Sequence, residues 1–259
     1  MTETQKHYKL TPNQLHILIL LYKFRFTTIP LLTAYKNLKS NSLQRTFDIL
    51  LAERYVERRF DRTFKIDRKP AIYYLSAKGI ATLMTDPRFN SATLHSYYKN
   101  KSISNAFMQH TVDTLDAYNI LMQSYGNKFE IFTKHEVAYF DDFSKTKPDL
   151  YLRGRKEYLI MLAHDTPPFL IRKRLIEYMT HFDEVGWTNG DYPALLFVFA
   201  DNRNEQRFLD FAHASLDNAG IETNELLIST TTMRTLKHST QANAIWTCLG
   251  QKDAPATLV

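Results

Sequence analysis

One cysteine, Cys248, stands in 259 residues, so no disulfide can close within this chain. That fits a reducing compartment. Glycine is scarce, at seven residues, which argues against a long flexible linker. No apolar run is long enough to cross a bilayer, and the opening MTETQKHYKL has no apolar signal core. A cytoplasmic protein with no membrane partner is the expectation. Against these absences the chain is 44% hydrophobic and 23% charged, ordinary values for a globular protein with a core. Its length suits one large domain or two, with two favoured.

Acidic residues are the next scarcity, but only in one half. Residues 1–101 hold 18 Lys and Arg against 7 Asp and Glu, while residues 102–259 hold 15 against 20. The overall charge of +6 therefore resides in the N-terminal part. Such an asymmetry points to a polyanion partner for that part. The charge is spread over several elements rather than one helix face, which argues against a membrane-surface helix.

The stretch Ser40 to Ala52, SNSLQRTFDILLA, organises this basic half. Leu43, Phe47, Leu50 and Leu51 recur at helical spacing and form an apolar stripe. Small hydrogen-bonding residues open it. Two helical segments precede it. Thr11-Pro-Asn-Gln14 reads as a capping box with proline at the first helical position, followed by a stripe of Leu15, Leu18, Ile19 and Tyr22. Phe24 to Thr28 turns the chain into a second helix over Ile29 to Tyr35. Tyr55 to Asp61 and Ala71 to Leu75 then read as paired strands, and Ser76 to Met84 starts another helix.

This order is the layout of a winged helix-turn-helix over residues 1–85, with Ser40–Ala52 in the place of the recognition helix. Its polar positions Ser40, Asn41, Ser42, Gln44 and Arg45 are candidates for contact with double-stranded DNA, since Asn, Gln and Arg match the hydrogen-bond patterns of base edges. Arg58, Arg59, Arg62, Lys65, Arg68 and Lys69, on and between the strands, are candidates for phosphate or minor-groove contact. Such lysines and arginines give affinity and salt dependence without sequence information.

Residues 86–102 read as a connector. From 103 to 259 the period alternates: a long helix over Ile103–Tyr125, strands near 129–140, 147–152, 157–163 and 192–200, and helices over 169–185 and 205–219, the last ending at Gly220. Leu226–Ser229 and Ala244–Leu249 add short strands. The almost wholly apolar YPALLFVFA suits a central strand covered on both faces. An α/β domain with a mixed sheet follows. His110 has no partner at metal-ligand spacing and reads as structural.

One set of residues in this half bears on catalysis. Pro148-Asp149 on a strand, then a second strand and a helix, resembles the restriction-endonuclease-like fold. There a Pro-Asp aspartate and a downstream acid-x-lysine hold a divalent metal for phosphodiester hydrolysis. Here the following strand reads Ile160-Met-Leu-Ala-His-Asp165, with Pro167 rather than lysine after the acid. A nuclease would have to work with Asp149, Asp165 and Lys173 from the next helix. The departures favour a non-cleaving version, with no bound metal and no cofactor.

Taken whole, the chain resembles the replication-relaxation family of plasmid and mobile-element proteins. The resemblance rests on the winged-helix front ending in YYLSAKG, the long central helix, and KPDLYLRGRKEYLIMLAHDT followed by RKRLIEYMTHF. It implies a winged helix joined to a nuclease-like α/β domain, α+β overall, and a role in plasmid replication, conjugation or mobilisation. The family pattern places an acid where this chain has Ala163. The resulting expectation is a non-enzymatic DNA-binding protein whose second domain forms a homodimer or recruits a relaxase or replication initiator. A transcriptional regulator of the same build and a metal-dependent nuclease are the alternatives.

Overall fold

The structure, a computed structural model, describes residues 9–36, 40–60, 62–188, 190–238, 244–250 and 256–258. The chain forms two compact units, residues 1–115 and 116–259. The division falls inside one long helix rather than in the expected 86–102 connector.

The first unit begins with α1 (Pro12–Phe24), α2 (Ile29–Lys36) and α3 (Ser40–Ala52). The capping box is in place: Thr11 N–H donates to Gln14 Oε1 at 2.9 Å, and Gln14 N–H donates to Thr11 Oγ1 at 3.3 Å. The buried face of α1 is Ile17, Leu18, Leu20, Leu21 and Phe24, so its stripe is turned from the expected one, with Leu15 and Tyr22 only partly covered. β1 (Val56–Arg59) and β2 (Ile72–Leu75) pair antiparallel, Val56 opposite Leu75 and Arg59 opposite Ile72. A third edge comes from the α1–α2 turn. Thr27 N–H donates to the Tyr73 carbonyl at 3.1 Å and Tyr73 N–H returns to the Thr27 carbonyl at 2.8 Å. The expected loop between the strands contains a helical turn, α4 (Arg62–Ile66). Asp61 lies outside the described residues.

α5 (Ala77–Met84) follows at once, its N-terminus capped by Ser76 Oγ, which accepts from Gly79 N–H at 3.1 Å. Residues 86–102 are not a free connector. α6 (Ser91–Tyr97) buries Leu94 and Tyr97, and a short 3-10 turn over Asn100–Ser102 buries Asn100. Tyr22, whose carbonyl accepts from Tyr97 Oη at 2.7 Å, and Arg25 tie this segment to the unit. Arg25 occupies a positive-φ turn (φ 63) closed by Phe26 N–H to the Phe24 carbonyl at 2.7 Å. Arg25, 8% exposed, donates through its guanidinium to Asn100 Oδ1 at 2.8 Å and the Ser96 carbonyl at 3.2 Å, and stacks on Tyr97. Desolvation lowers its pKa from the ordinary value.

α7 (Asn105–Tyr125) contributes Met108 and Val112 to the first unit, in a cluster with Phe26, Phe64, Ile72 and Tyr74. The second unit is a six-stranded sheet in the order β3 (Glu130–Thr133), β4 (Leu150–Arg153), β5 (Tyr158–Leu162), β6 (Ala194–Phe199), β7 (Ile228–Thr232), β8 (Thr247–Cys248). β5, β6 and β7 run parallel and the remaining pairs antiparallel, the mixed sheet expected. α8 (Pro168–Glu184) joins β5 to β6, and α9 (Asn202–Ala219) joins β6 to β7. Both bury apolar faces on one side of the sheet, against Leu159, Met161, Leu195 and Phe197. The alternate positions Leu150, Leu152, Ile160, Leu162, Leu196 and Val198 are also buried, as the apolar run of β6 required.

Three details depart from the periodic reading. The strand expected over 129–140 ends at Thr133, because Glu136 turns back to accept from Thr133 N–H at 2.8 Å and the chain enters a 3-10 turn. Leu170 on α8 faces solvent, and a short helix, α10 (Met233–Lys237), follows β7. Among the described residues no helix is long and apolar enough to cross a membrane.

Candidate nucleic-acid interface

α3 sorts its residues by the helical period. Leu43, Phe47 and Leu50 point into the first unit, with Leu51 half-buried and the Phe47 ring centroid 4.4 Å from that of Tyr73. Ser40, Asn41, Ser42, Gln44 and Arg45 are all exposed, as are Asp48 and Ile49. Gln44 Nε2 donates to Asp48 Oδ1 at 2.9 Å, one turn along. Arg45 pairs with no acid among the described residues. The helix is held to the strands that follow by Tyr55 N–H donating to the Leu50 carbonyl at 2.8 Å.

The paired arginines on β1 part company because side chains alternate along a strand. Arg58 is exposed and meets no carboxylate among the described residues. Arg59 faces the other way. Its guanidinium donates to the Lys101 carbonyl at 2.9 Å, the Ile103 carbonyl at 3.2 Å and Asn105 Oδ1 at 2.9 Å. Arg59, a candidate phosphate contact by sequence, is therefore a tie within the unit. Beside it Glu57 pairs with Lys101 at 2.8 Å. Burial first, then Glu57, pushes the Tyr74 phenol up to about 12.

The β1–β2 connection is pinned at one point and open elsewhere. Phe64 is buried, and its carbonyl accepts from Lys69 N–H at 2.9 Å. Lys65, Ile66, Asp67, Arg68, Lys69 and Pro70 are all exposed. Lys69 Nζ reaches Asp67 at 3.2 Å, and Lys65 Nζ lies 5.8 Å from the Phe60 ring centroid. The side chain of Arg62 lies outside the described residues.

In the second unit the sequence grouped Asp149, Asp165 and Lys173, and the structure gives each different company. Asp149 is 3% exposed. One carboxylate oxygen accepts from Leu162 N–H at 2.8 Å and lies 3.6 Å from Arg174 Nη1. The carboxylate, just ahead of β4, thus reaches β5 and α8. Asp165 is 51% exposed and lies 3.4 Å from His164, and Lys173 is 70% exposed, 3.9 Å from Glu177. Asp165 also lines a cavity of about 580 Å³ at the C-terminal ends of β5 and β6, with Arg172, Asn204 and Arg207. Asp149 and Lys173 do not line it. Arg174, not Lys173, is the cation beside Asp149. The sequence reading passed over it, although its position one turn before Tyr178 on the buried stripe of α8 marks it.

No family model matches the chain. No curated protein matches it either. A doubly substituted ZitR of Lactococcus lactis, among solved structures, aligns over 48% of this chain and 82% of its own, at 14% identity and a TM-score of 0.28. A likeness of that size carries no argument about fold or partner.

Proposed function

We propose that the first unit is a winged helix that binds double-stranded DNA. α3 enters the major groove, and the β1–β2 connection lies along the adjacent backbone or minor groove. The observation that carries this reading is the outward face of α3. Five hydrogen-bonding side chains, Ser40, Asn41, Ser42, Gln44 and Arg45, stand exposed on it, backed by a buried apolar stripe and followed by an exposed basic hairpin. The Thr27 bridge to β2 supports it, since a short third strand between the first two helices completes a winged-helix sheet. Arg45 reads base edges or a phosphate, and Arg58, Lys65, Arg68 and Lys69 neutralise phosphates.

In this reading the second unit, with 15 Lys and Arg against 19 Asp and Glu, is a protein-contact module rather than a second DNA grip. It forms a homodimer or recruits a relaxase or replication initiator of a plasmid or mobile element. The same front serves a transcriptional regulator equally well. No catalysis is assigned to Asp149, whose carboxylate is spent on Leu162 and Arg174.

Fluorescence anisotropy with labelled duplex tests the reading. Wild-type affinity should fall steeply with salt, by about 0.9 decade per decade of salt for each phosphate neutralised. Combining Arg45→Ala, Arg58→Ala and Arg68→Ala should weaken binding at least about tenfold and flatten the salt slope. Unchanged binding in that variant would place the surface elsewhere. Magnesium- or manganese-dependent cleavage lost in Asp149→Asn would overturn the non-enzymatic part.

A further inference from the structure

The tip of the β1–β2 connection carries an apolar side chain where a phosphate-tracking loop needs none. Ile66, at the end of α4, is 71% exposed, the highest among the large exposed apolar side chains of the described residues. Lys65, Arg68 and Lys69 flank it in sequence and are exposed with it, and the exposed Phe60 ring lies 5.8 Å from Lys65 Nζ. The buried Phe64 and the Lys69 N–H bond to its carbonyl root the turn, so Ile66 stands on a fixed base. A lone exposed aliphatic is ordinary on a surface. An aliphatic this exposed, flanked in sequence by Lys65, Arg68 and Lys69 with Asp67 the one acid among them, is a different object. The cations draw it to a polyanion, and only the stacked bases of a duplex offer that side chain an apolar destination there.

We infer that Ile66 is a wedge that enters the minor groove and partly unstacks one base step, bending the duplex toward the major groove held by α3. This rests on the reading of the first unit as a DNA-binding winged helix. Apolar wedges of this kind lose unstacking energy and recover it by letting bent DNA wrap more protein surface. Steps such as TpA, which unstack most easily, should be favoured under the tip.

The test separates bending from binding. A duplex of about 25 base pairs rich in TpA steps carries a donor and an acceptor at its ends. Saturation with the full chain should raise transfer efficiency by the amount expected of a kink of roughly 20–90°. Ile66→Ala should return the efficiency to that of free duplex while anisotropy on the same duplex shows affinity within about tenfold of wild type. Ile66→Leu should keep the bend. Because Ile66 is exposed, these changes leave the core intact, and unchanged melting temperatures verify it. Binding without a bend in wild type, or an equal bend with Ile66→Ala, overturns the wedge while leaving the DNA-binding reading standing. No binding by the wild type removes both.

Discussion

The two units treat their charged groups in opposite ways. In the second unit several acids are turned inward and given donors. Asp149 accepts from Leu162 N–H. Glu157 accepts from Tyr151 Oη and Trp187 Nε1, both at 2.7 Å, and Glu205 accepts from Thr230 Oγ1 at 2.8 Å. Asp149 is buried and Glu157 and Glu205 are half-buried, and each carboxylate is met by donors that offset the cost of taking it from water. In the first unit Arg45, Arg58, Lys65 and Arg68 stand on the outside. Exposed cations of this kind add little to stability. Their concentration on and after α3 makes sense as an attraction for something else. Arg25 and Arg59 differ from these, their guanidinium groups being spent on holding residues 96–105 to the unit.

That contrast can be broken by substitution. The largest effect is expected at Asp149. Asp149→Ala leaves the half-buried Arg174 without its counter-charge and Leu162 N–H without its acceptor, and should cost about 2–4 kcal/mol in urea unfolding of the full chain. A loss under about 1 kcal/mol would mean the carboxylate is not a strut. Next comes Gly79→Ala. A Cβ there would lie 2.2 Å from the Tyr55 carbonyl oxygen, a backbone atom that cannot step aside. The first unit should lose about 1–3 kcal/mol, read as an earlier transition in the same unfolding curves.

The β1 arginines sharpen the comparison. Arg59→Ala should destabilise by about 1–2 kcal/mol because three hydrogen bonds go. Arg58→Ala should stay within about 0.5 kcal/mol of wild type in stability yet weaken duplex binding. The reverse ordering would exchange their roles. The smallest effect is expected at Glu205. Burial raises its pKa above the ordinary 4.5, the bond from Thr230 pulling the other way. A raised carboxyl holds its proton to higher pH folded than unfolded, so this group's burial costs stability once pH rises past its folded pKa. Glu205→Gln should raise the melting temperature slightly at pH 7, with the gain vanishing toward pH 4. An equal change at both values would rule out ionisation as the cause.

How much of this was legible beforehand follows the strength of each local signal. The α1 capping box, the bounds of α3 and the fully apolar β6 could be read because period, cap and composition agreed. Arg58 and Arg59 were grouped although strand alternation separates them. What lay beyond reading was where Arg59 would find acceptors, since Lys101, Ile103 and Asn105 are more than forty residues on. Arg25 was missed for the same reason. Its turn is local, but the Asn100 and Ser96 groups that make it structural come from α6 and the turn after it. Asp149 was singled out by its Pro-Asp pair as a candidate metal ligand. A Pro-Asp pair does not say whether the carboxylate faces a metal or an arginine, and only the placement of Arg174 gives it the second company.

Hydrogen exchange of the full chain with and without saturating duplex reads the central claim segment by segment. Protection should appear over residues 40–52 and 56–75 and be absent from the sheet of the second unit. Protection centred on residues 150–200, with α3 unchanged, would contradict the account.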